Sequence, residues 1–294
     1  MDQKESASIK GKVCVTGAAG FFGSWLVKRL LESGYNVEGT VRDPGDYKKI
    51  GHLWELEGAK ERLHLVRAEL MDEGSFDDAI IGCEGVFHAA FPVLYPKSDP
   101  KAEVLDPAVE GTLNVLRSCK KSPLLKKVVL TSSTSAVARS SSDPKQPLDE
   151  NSWSNAQECE KLKAWYPLGK LLAEQAAWRF AKENGDNEKF ARRGRMGYVH
   201  IDDVASCHIL VYENDNTEGR YLCTSTVLEV PELASILAKR YPWLPIPTSF
   251  PSYVQGPRFE YDTSKVQKLG IKFKGIEEMF DDAIQSLKEQ GHLP

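Results

Sequence analysis

Tyr166 and Lys170 stand four residues apart in KAWYPLGKLLAEQAAWRF, a spacing that puts both side chains on one face of a helix. A phenol can hand its proton to a carbonyl oxygen as hydride reaches the carbon, and a neighbouring ammonium favours the phenol's ionised form. A second pair with this spacing, Tyr261 and Lys265 in FEYDTSK, follows no helical pattern and reads as a structural, extended segment. Around Tyr166, by contrast, Trp165, Leu168, Leu172, Ala176 and Phe180 recur at helical intervals. Upstream, LTSSTSAV places Ser133 at a strand end, where its hydroxyl can bond a substrate carbonyl, with Ser132 and Ser135 as alternatives.

Near the start of the chain, TGAAGFFG sets Gly17, Gly20 and Gly23 between a strand and a helix. Glycines there let backbone approach a pyrophosphate, and the helix start offers unpaired amides near Phe21 and Phe22. The second strand ends in TVRDP, with no acid placed to bond a ribose 2′-hydroxyl. Arg42 can instead take a 2′-phosphate, with Lys48 and Lys49 nearby, which favours NADP(H) over NAD(H). Glu69 and Leu70 follow the third strand beside the expected adenine, and Ala89 and Ala90 follow the fourth, under the cofactor. His88 lacks a partner carboxylate at suitable spacing and reads as structural. His200, Asp202 and Asp203 read as a strand end and helix cap, not as metal ligands.

These residues need a scaffold that brings strand ends together. Runs at Lys12 to Thr16, Asn36 to Val41, Leu63 to Arg67, Gly85 to Ala89 and Lys127 to Ser132 read as strands separated by helical segments, the repeat of a doubly wound parallel sheet. The expected division is a Rossmann-type dinucleotide-binding domain over 1–184 and a smaller substrate lobe over 185–294, with 201–215 packing back on the first domain. In the lobe, Arg220 to Cys223 reads as a strand, Pro231 to Arg240 as a helix, and Ile276 to Leu287 as a terminal amphipathic helix ended near Gly291.

The 294 residues, 41% of them hydrophobic, allow a large core. A net charge of −4 provides no basic field for nucleic acid, and no apolar run is long enough to span a bilayer. The polar start, MDQKESASIKGK, lacks a secretory pattern, so a cytoplasmic protein is expected. Six scattered cysteines (Cys14, Cys83, Cys119, Cys159, Cys207 and Cys223) have no CxxC spacing and read as reduced thiols.

The ordered motifs GKVCVTGAAGFFGSWLVKRLL, TVRDP, GCEGVFHAA, GTLNVLRSC, VVLTSS, WYPLGKLLAEQAAW and GYVHIDDVA resemble the extended short-chain dehydrogenase/reductase superfamily. Within it they resemble the plant branch of dihydroflavonol reductases, cinnamoyl-CoA reductases and tetraketide α-pyrone reductases, and the later segments are most similar to the last group. The resemblance implies an NADPH-dependent carbonyl reductase of phenylpropanoid or polyketide metabolism, down to a tetraketide α-pyrone of pollen-wall precursor synthesis. It also implies that Ser133, Tyr166 and Lys170 form a catalytic triad acting on a small-molecule carbonyl substrate. The chain departs from the family at Glu69 and Phe91, where aspartate and serine are usual, and carries Ala108 where many relatives outside this branch place a relay asparagine. A larger departure follows the tyrosine helix: KENGDNEKFARRGR runs directly into MGYVHIDDVA, so the sixth strand and substrate loop of the family are expected to be missing. The competing expectation is a truncated, catalytically weak NADP-binding protein.

Overall fold

The computed structural model describes residues 10–93, 96–137, 147–184, 197–247, 249 and 260–293. The first half runs β1 (Lys12–Thr16), α1 (Phe21–Glu32), β2 (Asn36–Val41), α2 (Tyr47–Trp54), α3 (Ala59–Arg62), β3 (Leu63–Arg67), α4 (Asp77–Ile80) and β4 (Gly85–His88). A π-helical turn, Lys101–Leu105, leads into α5 (Asp106–Lys121), which is followed by β5 (Lys127–Leu130) and a short turn at Thr134–Ala136. Then come α6 (Ala156–Lys161), α7 (Trp165–Glu183), α8 (Ile201–Glu213), α9 (Val230–Arg240), α10 (Ser264–Gln267) and α11 (Ile276–Glu289).

Among the described residues the five strands form one parallel sheet in the order β3-β2-β1-β4-β5. Successive side chains of a strand point to opposite faces, so the apolar runs feed two cores. Val13, Val15, Phe87 and Val129 face a layer made by Leu26, Val27 and Leu30 of α1 and by Ala205, Ile209 and Val211 of α8. Cys14, Val86, Val128 and Leu130 face Val115, Leu116 and Cys119 of α5 and Ala177 and Ala181 of α7. This is the doubly wound arrangement expected, and strand order reverses between β1 and β4, where such sheets open a crevice for ligands.

The expected strands four and five end earlier than read, at His88 and Leu130. In α7, Leu168 and Ala176 are buried as the periodicity indicates, but Leu172 and Phe180 are only half-buried, and Leu171, Ala173, Glu174 and Ala177 are buried instead. The helix is pressed from two sides, by α5 and by the cluster of Ala136, Cys159 and Trp153, so its buried face is wider than one stripe. Arg220 to Cys223 is not a strand: it is buried, but a ladder needs a neighbour, and it is anchored by side chains. Leu222 N–H donates to the Glu150 carboxylate at 3.2 Å, and the Arg220 guanidinium stacks on Trp153 at 4.1 Å and lies 3.6 Å from Glu174 of α7. The shortened connection after the tyrosine helix falls at 185–196, outside the described residues.

Helix α8 packs against α1 and β5. Its N-cap is His200, whose ring accepts from Asp202 N–H at 3.1 Å, and Asp202 in turn accepts from Trp25 Nε1 of α1 at 3.0 Å. Asp203 accepts from Lys274 N–H at 2.8 Å. The described residues hold no cluster that could bind a metal ion and no helix long and apolar enough to cross a membrane, and the six cysteines are buried and form no disulfide.

The other end of α8 is fixed by Lys127 of β5. Its buried ammonium donates to Val211 O (3.1 Å), Asn214 O (2.7 Å) and Thr217 Oγ1 (3.0 Å), which ties off carbonyls that the helix end leaves unpaired. Burial pulls the lysine below its ordinary pKa, yet the three acceptors keep it in place. Lys127→Met is therefore expected to lower unfolding free energy by roughly 1–3 kcal/mol, the usual cost of stranding buried polar partners. Urea unfolding checks this, and an unchanged midpoint would show that the carbonyls find other donors.

Candidate active site

The candidate residues gather at the C-terminal edge of the sheet, and the turn after β1 shows why glycine is required there. Gly17 has φ of +71°, a conformation that side chains disfavour. A Cβ at Gly23 would lie 2.1 Å from Gly17 O, so α1 can start hard against the turn only without one. The turn is held by Gly17 N–H to Thr40 Oγ1 (3.2 Å), Ala18 N–H to Thr40 O (3.0 Å) and Gly20 N–H to Gly17 O (2.9 Å). Helix α1 then begins at Phe21 after the N-cap Gly20, and its first amides have no helical acceptor. Phe21 is 84% exposed, whereas Phe22 turns inward onto His208 of α8, with ring centroids 4.8 Å apart.

After β2, Arg42 and Lys48 are exposed and form no ion pair among the described residues. Lys49 is engaged by Asp46, so of the three expected cations it is the least available to a ligand. After β3, Glu69 and Ser75 exchange bonds through Glu69 N–H to Ser75 Oγ (3.1 Å) and Ser75 Oγ to Glu69 O (2.8 Å). Leu70 O accepts from Asn114 Nδ2 at 2.9 Å. The bare glycine turn, the open amides and the free cations fit a dinucleotide with a phosphate on its adenosine ribose.

The end of β4 is set by a hydroxyl–imidazole chain. Thr112 Oγ1 donates its one proton to Ala108 O (2.8 Å), so at 3.4 Å from His88 Nε2 it must accept, which places the ring proton on Nε2. His88 Nδ1 then accepts from Thr16 Oγ1 at 2.8 Å, and Thr16 Oγ1 accepts from Ala90 N–H at 3.1 Å. His88 is a structural residue, as expected, but its partners are hydroxyls that spacing along the chain does not reveal. The chain fixes Ala89, Ala90 and Phe91 where β4 ends.

Phe91, a departure from the family in sequence, is an aromatic wall beside the Tyr166–Lys170 pair. Its ring meets Tyr166 edge to face (centroids 5.6 Å apart, planes at 82°), and Lys170 Nζ lies 3.8 Å from its centroid. Lys170 is 5% exposed and donates to Thr131 O at 3.0 Å, two residues before Ser133. Ser133 Oγ accepts from Ser135 N–H at 3.1 Å, capping the following turn and leaving its own proton to offer. Ser132 is buried and its hydroxyl has no partner among the described residues. Thr131 Oγ1 bonds His208 Nε2 (2.9 Å) while His208 Nδ1 bonds Val204 O (2.7 Å), so α8 also steadies this strand end.

The second pair is dispersed. Tyr261 lies on an isolated bridge with Leu148, and Lys265 on α10 donates to Glu218 O and Arg220 O, both at 2.9 Å.

A model of the NAD dependent epimerase/dehydratase family matches residues 13–192. The chain is 56% identical to tetraketide alpha-pyrone reductase 1 of Arabidopsis thaliana, covering 97% of each. That alignment spans 318 positions, more than the 294 residues of this chain, so the relative carries residues that this chain lacks. Vestitone reductase from alfalfa superposes with a TM-score of 0.81 at 35% identity, over 97% of this chain and 100% of that one. The yeast methylglyoxal/isovaleraldehyde reductase complexed with NADPH superposes with a TM-score of 0.82 at 26% identity, over 96% and 100%.

Burial, with some repulsion from the Lys170 ammonium, lowers the pKa of His88 to about 3. An unfolded histidine takes up its proton near ~6.5, so below that pH the unfolded chain binds a proton that the native one refuses. The contribution is whole above pH ~6.5 and is lost as pH falls toward the folded value, at up to about 1.4 kcal/mol per pH unit. Urea titrations from pH 7.5 to 5 should show wild type losing stability more steeply than His88→Gln. Parallel slopes would contradict a neutral, buried His88.

Proposed function

The chain belongs to the NAD dependent epimerase/dehydratase family and is an NADP(H)-dependent oxidoreductase, and we propose that it reduces the carbonyl of a polyketide-type substrate such as a tetraketide α-pyrone. The observation that carries this reading is that Tyr166 and Lys170 both contact the Phe91 ring, beside the strand end that bears Ser133. The substrate class rests on the 56% identity with the α-pyrone reductase.

In this reading Gly17, Gly20 and Gly23 with the first amides of α1 hold the pyrophosphate, and Arg42, helped by Lys48, takes the 2′-phosphate. Glu69 and Leu70 border the adenine, and Ala89 and Ala90 lie under the nicotinamide half. Bound NADPH would supply the hydride. Ser133 donates a hydrogen bond to the substrate carbonyl oxygen, which orients it and polarises its carbon. Tyr166 gives its proton to that oxygen as negative charge develops there. Lys170 keeps a positive charge beside the phenol, which steadies the phenolate left behind. The division into a cofactor domain over 1–184 and a substrate lobe over 185–294 follows the same assignment, with α8 as the part of the lobe that braces the sheet.

Two substitutions separate these roles. Tyr166→Phe is expected to lower kcat by at least about 100-fold while NADPH still binds, because only the proton donor is removed. Tyr261→Phe should leave the rate near wild type, and the reverse pattern would relocate the active site. Turnover measured on α-pyrones, dihydroflavonols and cinnamoyl-CoA esters would place the substrate, and rates no higher on α-pyrones than on the others would reject the substrate class.

Arg42→Ala should weaken NADPH and leave NADH almost unaffected, since its guanidinium meets only the 2′-phosphate. Fluorescence titration of both cofactors against both proteins tests this. Equal wild-type affinities for NADPH and NADH would remove the role given to Arg42.

A further inference from the structure

We propose that Phe91 is a positioning residue for the reaction: the face of its ring holds the Lys170 ammonium in register while the same ring packs perpendicular to that of Tyr166. The inference rests on the Tyr166–Lys170 reading above and adds to it a residue that neither the spacing of the pair nor the glycine turn calls for.

Three observations support it. First, the ring lies against both members of the pair at once: Lys170 Nζ is 3.8 Å from its centroid, and Tyr166 meets it edge to face at 5.6 Å. A cation over the face and an aromatic partner in a perpendicular arrangement are the two contacts that a ring quadrupole favours. Second, the ring packs on α7 between the two members of the pair. Residue 169, between the pair on the same face, is glycine, and a Cβ there would lie 3.4 Å from Phe91 Cζ, an ordinary van der Waals contact, so the ring lies directly against the helix surface. Third, the ring stands on a rigid base. Thr16 and Thr112 bracket His88, and Thr16 also takes the Ala90 amide, so the backbone entering Phe91 is fixed by bonds that owe nothing to α7.

A buried ammonium needs compensation, and Lys170 is only 5% exposed. The carbonyl of Thr131 supplies one acceptor on the β5 side. The Phe91 face supplies an attractive surface on the β4 side, so the ammonium is held between the two strand ends. A lysine has four rotatable bonds in its side chain, and this two-sided grip removes the freedom that would otherwise let it swing away from the phenol. A serine, the usual family residue, has neither the reach nor the π face to do this, so the side chain at 91 sets how Lys170 is held.

The test uses Phe91→Leu, which keeps an apolar group without a π face, and Phe91→Tyr, which keeps the ring. In cofactor-free protein with labelled lysine, the ε-CH2 protons of Lys170 should resonate upfield under the ring current, move downfield in Phe91→Leu and stay upfield in Phe91→Tyr. Phe91→Leu should lower kcat by about tenfold or more and weaken NADPH, while binding of 2′,5′-ADP, which carries only the adenosine side, stays at the wild-type value. Phe91→Tyr should restore kcat and NADPH affinity to within about twofold. Equal losses in both variants, or a loss of 2′,5′-ADP affinity matching that of NADPH, would reduce Phe91 to general packing and overturn the proposal. Wild-type kcat in Phe91→Leu would overturn it too. Tyr166→Phe, measured alongside, separates the two failures: if it keeps full activity the reading of the pair is wrong, and if it is inactive while Phe91→Leu matches wild type, only the role of Phe91 falls.

Discussion

A positive charge buried at the meeting point of two strands and a helix is the constraint around which the site is organised. Lys170 sits in the first turns of α7 with its ammonium almost removed from water, so neighbouring groups have to supply what solvent does not. The Thr131 carbonyl and the Phe91 ring do so from β5 and β4, while His88 stays neutral, partly because the ammonium is close. Each of these groups is then fixed by something behind it. Thr131 is braced by His208 of α8, and Phe91 stands on a strand end pinned by Thr16 and Thr112. The pair on α7 is thus placed by contacts from both faces of the sheet.

The two halves of the crevice differ in kind. On the proposed adenine side the geometry is set mainly by backbone, through a glycine turn with positive φ and a helix starting in van der Waals contact with it, with exposed cations after β2. That geometry depends on β1, β2 and α1, all within the first part of the chain. On the proposed nicotinamide side, side chains set the geometry, and they come from β4, β5, α7 and α8, which are far apart in sequence.

How much was legible follows the same division. The runs Lys12 to Thr16, Asn36 to Val41 and Leu63 to Arg67 marked β1 to β3 to the residue, and Gly17, Gly20 and Gly23 could be read because their requirement is local. The spacing of Tyr166 and Lys170 was legible because a helix converts sequence distance into proximity. Arg220 to Cys223 has strand composition but no ladder, since pairing depends on a neighbour that composition does not specify. Lys49 carried the right charge, but Asp46, three residues earlier, takes it. Phe91 was visible as an unusual residue, and its contacts with a helix some seventy-five positions away were not, because only the fold brings them together.

The central claim is that this chain delivers hydride to a carbonyl. The direct measurement is to supply NADPH carrying deuterium at the transferred position of nicotinamide C4, together with a tetraketide α-pyrone, and to weigh the product. The account predicts an alcohol heavier by a single deuterium, on the former carbonyl carbon, formed with stoichiometric loss of NADPH absorbance. Tight NADPH binding with no deuterated alcohol from that substrate or any other carbonyl compound tried would contradict it.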